Sequence, residues 1–189
     1  ACVAKAVAGK AREGSTVITF ARKLGHKLRR ATWPKRFRHM AVYDRRLKLP
    51  ANGSGGRRII WRGEELGGLV DPAELRNRFG GHCFIVCSGP SLREIDFCQL
   101  ARYPCFGVNG SVQMFESHGM TAEFHAATDS DFFEHRFDMV ERMILSGALC
   151  FFSVAGVTKL CQRRPQLLRK ARICLTEVVN RQFDQPRNT

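Results

Sequence analysis

Cys83-Phe84-Ile85-Val86-Cys87-Ser88-Gly89-Pro90-Ser91-Leu92 sets a short apolar run directly against a small, hydroxyl-rich turn. The arrangement returns twice. Val108-Asn109-Gly110 follows the run from Cys105, and Ala127-Thr128-Asp129 closes the run from Phe124. Three apolar strands that each end in Ser, Gly, Asn or Asp describe one edge of an α/β sheet. Ligands of open α/β sheets bind outside the carboxyl ends of the strands, so these three clusters are the candidate site.

Working outward, the chain alternates. Phe84–Cys87 reads as a buried strand and Leu92–Tyr103 as a loop and short helix. Cys105–Val108 is a second strand, followed by a helix from Ser111 to His118. Phe124–Ala127, Leu149–Ser153 and Ile173–Val178 are three more strands, separated by helices over Phe132–Ser146 and Val157–Lys170, the latter broken at Pro165. Strands about 20 residues apart with a helix in each gap imply βα units and a largely parallel sheet. Upstream, Asp71-Pro72 opens a predicted helix to about Phe79, stopped by Gly80-Gly81. Ile59-Ile60-Trp61 is a short strand or a docking segment, and 50–58 is a turn-rich linker.

Charge divides the chain sharply. Residues 1–58 hold 16 Lys/Arg and 2 acids, whereas 59–189 hold 15 of each, so the whole net charge of +14 lies in the first part. Within it, Val17, Phe20, Leu24, Leu28 and Ala31 recur at helical spacing among Arg22, Lys23, Lys27, Arg29 and Arg30, until Pro34. That pattern is a basic amphipathic helix. It suits a helix lying on an anionic membrane with Phe20 and Trp33 inserted, and equally one that packs its stripe on the protein. An arm of this charge needs an anionic partner: a membrane surface, a phosphorylated glycan or nucleic acid. Few aromatics interleave it for base stacking, only Phe20, Trp33, Phe37 and Tyr43.

No run of eighteen apolar residues is present, so no membrane-spanning helix is expected. The early apolar stretch is broken by Lys5, Lys10 and Arg12, which argues against a cleavable secretory signal. Neither end reads as a natural boundary, and a fragment of a longer chain is expected. The 8 cysteines contain no Cys-x-x-Cys pair. Those at 83, 87, 105, 150 and 174 fall in strand-like runs, where cysteine is a small buried hydrophobe, and the pattern suits a reducing cytoplasm.

The turns carry the chemistry. Gly89 lets a backbone approach a ligand, with a positive φ if needed, and Ser88 and Ser91 add hydroxyl donors. Backbone amides after a strand form an anion site. The loop lacks both the three glycines of a dinucleotide fingerprint and the Gly-Lys-Ser/Thr of a P-loop, so it suits a small phosphate such as a nucleoside monophosphate. A plain strand-to-loop turn has the same composition. Asn109 both donates and accepts, as recognition of a ribose or base edge requires; alternatively Asn109 or Ser111 caps a helix. Asp129-Ser130-Asp131 resembles a metal-binding Asp-x-Asp, or else Asp131 caps the helix from Phe132. The histidines at 82, 118, 125 and 135 form no triad and are read as structural or surface residues.

Taken together, Phe84–Leu92, Gly107-Val108-Asn109-Gly110 and Ala127-Thr128-Asp129 resemble the bacterial lipopolysaccharide-core Kdo transferases, in which Ser-Gly-Pro-Ser-Leu, Val-Asn-Gly and Thr-Asp clusters occur at similar spacing. Arg136-Phe137-Asp138 is similar to an arginine-rich segment of that family. A more distant likeness, through Gly89–Leu92 with Glu94-Ile95-Asp96, is to the CMP-sialic acid sialyltransferases; these usually carry Asn where Ser88 stands. The resemblance covers roughly residues 83–184. It implies a Rossmann-like transferase for a CMP-activated acidic sugar, with Ser88, Gly89, Pro90 and Ser91 holding the CMP phosphate, Asn109 the cytidine, and Gly110 and Asp129 lining the donor site. In the sialyltransferases the histidine base and the tyrosines at the leaving phosphate lie further along than this chain reaches, so no catalytic residue is assigned.

The expectation is therefore an α/β, Rossmann-like protein with a largely parallel sheet and flanking helices, preceded by a basic helical arm. Residues 1–58 are the arm and linker, and 59–189 the front, donor-binding part of a glycosyltransferase domain. The expected activity is transfer of Kdo or a related keto-sugar acid from its CMP ester to a lipopolysaccharide core acceptor, with no required cofactor and a divalent metal optional. The expected location is the cytoplasmic face of the inner membrane, held peripherally through 1–58. The competing readings are a basic-armed nucleic-acid-binding protein and a catalytically incomplete remnant.

Overall fold

The computed structural model describes Trp33 and residues 42–49, 58–76 and 81–176. Residues 1–41 and 42–189 form two compact units, and the fold described is that of the second. The basic helix expected over 17–33 lies outside the described residues except for Trp33, as do 50–57 and everything from 177.

A small antiparallel sheet comes first: β1 (Leu47–Lys48), β2 (Arg58–Trp61) and β3 (Glu64–Gly68), in that spatial order. Arg62 at φ +53 and Gly63 at φ +88 make the two-residue turn between β2 and β3, whose left-handed backbone matches strand twist. Trp61 is buried, with the guanidinium carbons of Arg46 and Arg62 at 5.1 and 5.4 Å from its ring centre.

The main sheet is five strands, all parallel: β4 (Phe84–Val86), β5 (Cys105–Val108), β6 (Phe124–Ala127), β7 (Leu149–Ser153) and β8 (Arg172–Thr176). Spatial order follows sequence order. Between them lie α1 (Phe97–Leu100), α2 (Val112–Ser117), α3 (Ser130–His135), α4 (Phe137–Leu145) and α5 (Val154–Arg163).

Monotonic order has a consequence. Right-handed crossovers that always step in one direction deposit their helices on one face. Side chains in register across parallel strands share a face, and His125, Cys150 and Ile173 are in register with Gly107. On that face Phe115 of α2 meets His125 edge-on at 5.9 Å, and Phe133 of α3 meets Phe152 at 5.0 Å. The other face carries Phe106, Phe124, Leu149, Phe151 and Cys174, packed with Val70 and Leu75. Leu69 bridges Ile173 in parallel, so the chain enters beside β8 and crosses to the far edge before β4 begins.

Several expectations shift in detail. The helix at 71–79 is a 3₁₀ turn, Pro72–Leu75, capped by Asp71. The helix expected over 132–146 starts earlier and is two, α3 and α4, broken where Arg136 leaves helical dihedrals. The break at Pro165 is present, with α5 ending at Arg163 and a 3₁₀ turn over Pro165–Arg169. The first strand is not buried. It is an edge, with Phe84 42% and Ile85 72% exposed. For the same reason Cys83 and Cys87 are exposed rather than buried, whereas Cys105, Cys150, Cys161 and Cys174 are buried. Burial pushes the thiols of Cys150 and Cys161 up to about 12, which makes them inert filling.

Candidate functional site

The three polar clusters do lie at the carboxyl ends of adjacent strands β4, β5 and β6. The first two lie close together. A Cβ built on Gly110 would stand 3.3 Å from Ser88 Cβ and 3.6 Å from both Ser88 Oγ and Met139 Sδ, so any side chain at 110 would press on the Ser88 loop.

Gly89 is extended, at φ −101 and ψ 163, and its positive-φ freedom is unused. A Cβ there would meet only Ser91 Oγ, at 3.7 Å, so the backbone at 89 faces open space. Its amide donates to the Cys87 carbonyl at 2.9 Å, which removes it from the expected set of anion donors. The hydroxyls of Ser88 and Ser91 are among the donors that remain, and both residues are exposed. Pro90 starts the 3₁₀ turn Pro90–Glu94.

The left-handed residue of the site is Asn109, at φ +51. Asparagine before glycine tolerates this region because its short polar side chain costs less there than a branched one. Asn109, Gly110 and Ser111 form a 3₁₀ turn leading into α2, and no side-chain cap closes either element. Ser111 occupies the N-cap position of α2 without a side-chain bond to it, and Asn109 caps neither element.

Asp129, not Asp131, caps α3: its Oδ1 accepts from the Asp131 amide at 2.9 Å. It remains exposed at the strand end. Among the described residues no group of three His, Cys, Asp or Glu side chains is placed to hold a metal ion. Ser153 closes the floor. Its Oγ donates to Thr128 O at 2.7 Å and accepts from the Gly156 amide at 3.1 Å, tying the β6 end to the start of α5.

Of the described histidines, those at 82, 118 and 135 stand apart from these loops, and His125 lies beneath the Asn109 turn. His118 ends α2, its Nδ1 2.8 Å from the Met114 carbonyl and its ring stacked on Phe97 at 4.2 Å. His135 is the last residue of α3. His82 sets its ring edge toward Tyr103 at 6.5 Å. His125 is 1% exposed inside β6, and burial lowers its imidazole to about 4. Its neighbours Gly107 and Ser111, and the floor residue Ser153, were not legible as a group because their proximity arises from strand register.

The edge thus offers two free hydroxyls, one amide side chain and one carboxylate around exposed backbone. Such a set can hold a phosphate and a polar ring edge. A separate groove of about 270 Å³ opens at the opposite, amino ends of β6, β7 and β8, lined by Leu75, Thr121, Glu123, Ser146 and Arg172 among others. No protein-family model, curated protein or solved structure matches the chain.

Proposed function

We propose that the carboxyl edge of the parallel sheet is the donor site of a Rossmann-like glycosyltransferase that uses a CMP-activated acidic keto-sugar, Kdo or a close relative, with a lipopolysaccharide core as acceptor. The observation that carries the reading is the close approach of the Ser88–Ser91 loop to the Asn109–Gly110 turn, which only a glycine at 110 leaves unobstructed. A phosphate held by the two serine hydroxyls would lie beside the amide that reads the cytidine edge, and Asp129 would border the sugar. A CMP ester has one phosphate and already leaves well, so its departure needs donors on that phosphate rather than a bridging metal. The acceptor hydroxyl needs a base, and the reading assigns none to these residues.

The basic segment 1–58, whose last part also supplies β1 and the first residue of β2, would bring the domain to an anionic leaflet at the cytoplasmic face of the inner membrane, where the phosphorylated acceptor is displayed. Each Lys or Arg near such a surface contributes about 1 kcal/mol.

The test is calorimetric titration with CMP, with AMP and inorganic phosphate as controls, followed by an assay of CMP release from CMP-Kdo with a truncated core acceptor. The reading expects CMP to bind more tightly than either control. Equal affinity for CMP and phosphate would remove the cytidine from the account, and no binding of any would remove the site.

A further inference from the structure

We propose that Ser111 and His125 form a hydrogen-bonded pair under the Asn109 turn, with the Ser111 hydroxyl donating to His125 Nδ1, and that the pair holds this turn in the shape the site needs. The proposal deepens the nucleotide reading and rests on it only for the identity of the ligand.

Two buried polar atoms carry the inference. Ser111 is 0% and His125 1% exposed, and neither Ser111 Oγ nor His125 Nδ1 has a hydrogen-bond partner among the described residues. A buried polar group left unpaired is expensive, so two that lie near one another gain by meeting. A Cβ placed on Gly107 would stand 2.5 Å from His125 Nδ1 and 2.8 Å from Ser111 Oγ, so both atoms border the same point beside Gly107, and a small side-chain rotation is what the pair requires to close. Gly107 and His125 are register partners on β5 and β6, and the imidazole occupies the room that a side chain at 107 would take. Any residue other than glycine at 107 would expel the ring.

The chemistry of the pair runs one way. A neutral imidazole has one acceptor nitrogen, and a hydroxyl is free to rotate its proton toward it. Donation from Ser111 to Nδ1 places the ring proton on Nε2. The other groups facing the imidazole are uncharged: the Phe115 ring from α2 and, across the sheet, the Cys150 thiol from β7, which burial keeps protonated.

The pair sits where it matters. Ser111 is the last residue of the 3₁₀ turn that begins at Asn109, and Asn109 stands at φ +51. A non-glycine residue remains in this region when its surroundings hold it there. No side-chain cap fixes the turn, whose backbone is closed by the Val112 amide donating to the Gly110 carbonyl, and anchoring Ser111 to the sheet through His125 adds a restraint from below. Ser111 and His125 are positioning residues. They act through Asn109 and are too deeply buried to touch a ligand.

The test uses the full chain labelled with ¹⁵N-histidine, read by long-range ¹H–¹⁵N correlation, with CMP affinity measured in parallel. The wild type is expected to show His125 protonated on Nε2, with Nδ1 as a hydrogen-bonded acceptor. Ser111→Ala should move Nδ1 to the position of a bare acceptor nitrogen and weaken CMP binding about tenfold, and Ser111→Thr, which keeps the hydroxyl, should restore both. A wild-type His125 protonated on Nδ1 would overturn the pair without recourse to any variant, as would an Nδ1 resonance unmoved by Ser111→Ala. A moved resonance with unchanged CMP affinity would overturn the positioning role. A moved resonance in a protein that binds no CMP would support the pair and sink the nucleotide reading, so the two failures are distinguishable.

Discussion

Asn109 separates two contributions that most site residues confound. Its backbone at φ +51 serves the fold, and its amide is free to serve a ligand. Asn109→Gly should therefore keep the turn, leaving urea unfolding within about 0.5 kcal/mol of wild type, while CMP affinity drops because the amide is gone. Asn109→Ala should lose affinity and also about 1 kcal/mol of stability to the left-handed backbone. Equal CMP affinity for wild type and Asn109→Gly would take the amide out of the site. Gly89→Val is the complementary change. The backbone there is extended and a Cβ meets nothing closer than 3.7 Å, so the variant should fold normally by circular dichroism yet lose CMP by calorimetry. His125 gives a pH signature. Burial lowers its folded value from 6.5 to about 4, so the neutral form is favoured in the fold. The unfolded chain takes up a proton first as pH falls, so this contribution is complete above about pH 6.5 and is lost between there and pH 4. Urea unfolding should show a decline of up to about 3 kcal/mol over that window, and His125→Phe should flatten it. At this scale the sequence was legible where a residue's role is local. Asn before Gly at a strand end announces a turn, but the meeting of Gly107, Ser111 and His125 depends on which strands are neighbours.

Among the elements, β6 and β7 occupy the spans their apolar runs predict, Phe124–Ala127 and Leu149–Ser153, because each is flanked by polar punctuation and packed on both sides. Phe84–Val86 has an equally apolar run but lies at the sheet edge, and composition holds no information about lateral order. Ile85 is 72% exposed and Val86 4%, so Ile85→Lys should shift the urea midpoint by little, under about 0.5 kcal/mol, whereas Val86→Lys should unfold the domain. Helix boundaries were less legible. Arg136 divides α3 from α4 without a proline or glycine to signal it, and the sequence offers no physical reason for the break. Ser153 illustrates an element-level joint. Its hydroxyl caps α5 and holds the Thr128 carbonyl, and Ser153→Ala should cost about 1–2 kcal/mol in chemical denaturation, the usual range for a lost cap. A cost near zero would mean that the β6 end and α5 are held by other contacts.

For the molecule as a whole, the division of charge makes a prediction independent of the site. All of the +14 excess lies in residues 1–58. Binding to vesicles of anionic lipid should weaken steeply with salt, as expected of screened surface charge. It should be lost when Lys23, Lys27, Arg29 and Arg30 are replaced by Glu, with CMP affinity unaltered. Vesicle binding that survives these replacements would mean the arm is not the anchor. A parallel α/β sheet was legible in the alternation of strands and helices. Its one-directional order and the gathering of α2 to α5 on one face were not, since they follow from strand adjacency. The central claim is that the ligand binds at the carboxyl edge of this sheet, where hydroxyls and an amide converge, and not in the groove at the amino edge. The measurement that addresses it most directly is amide chemical-shift mapping of the full chain during titration with CMP. The account predicts saturable shifts at Ser88, Gly89, Ser91, Asn109 and Gly110, with Thr121, Glu123, Ser146 and Arg172 unmoved. Shifts confined to the latter four, with the Ser88 and Asn109 loops silent, would contradict it.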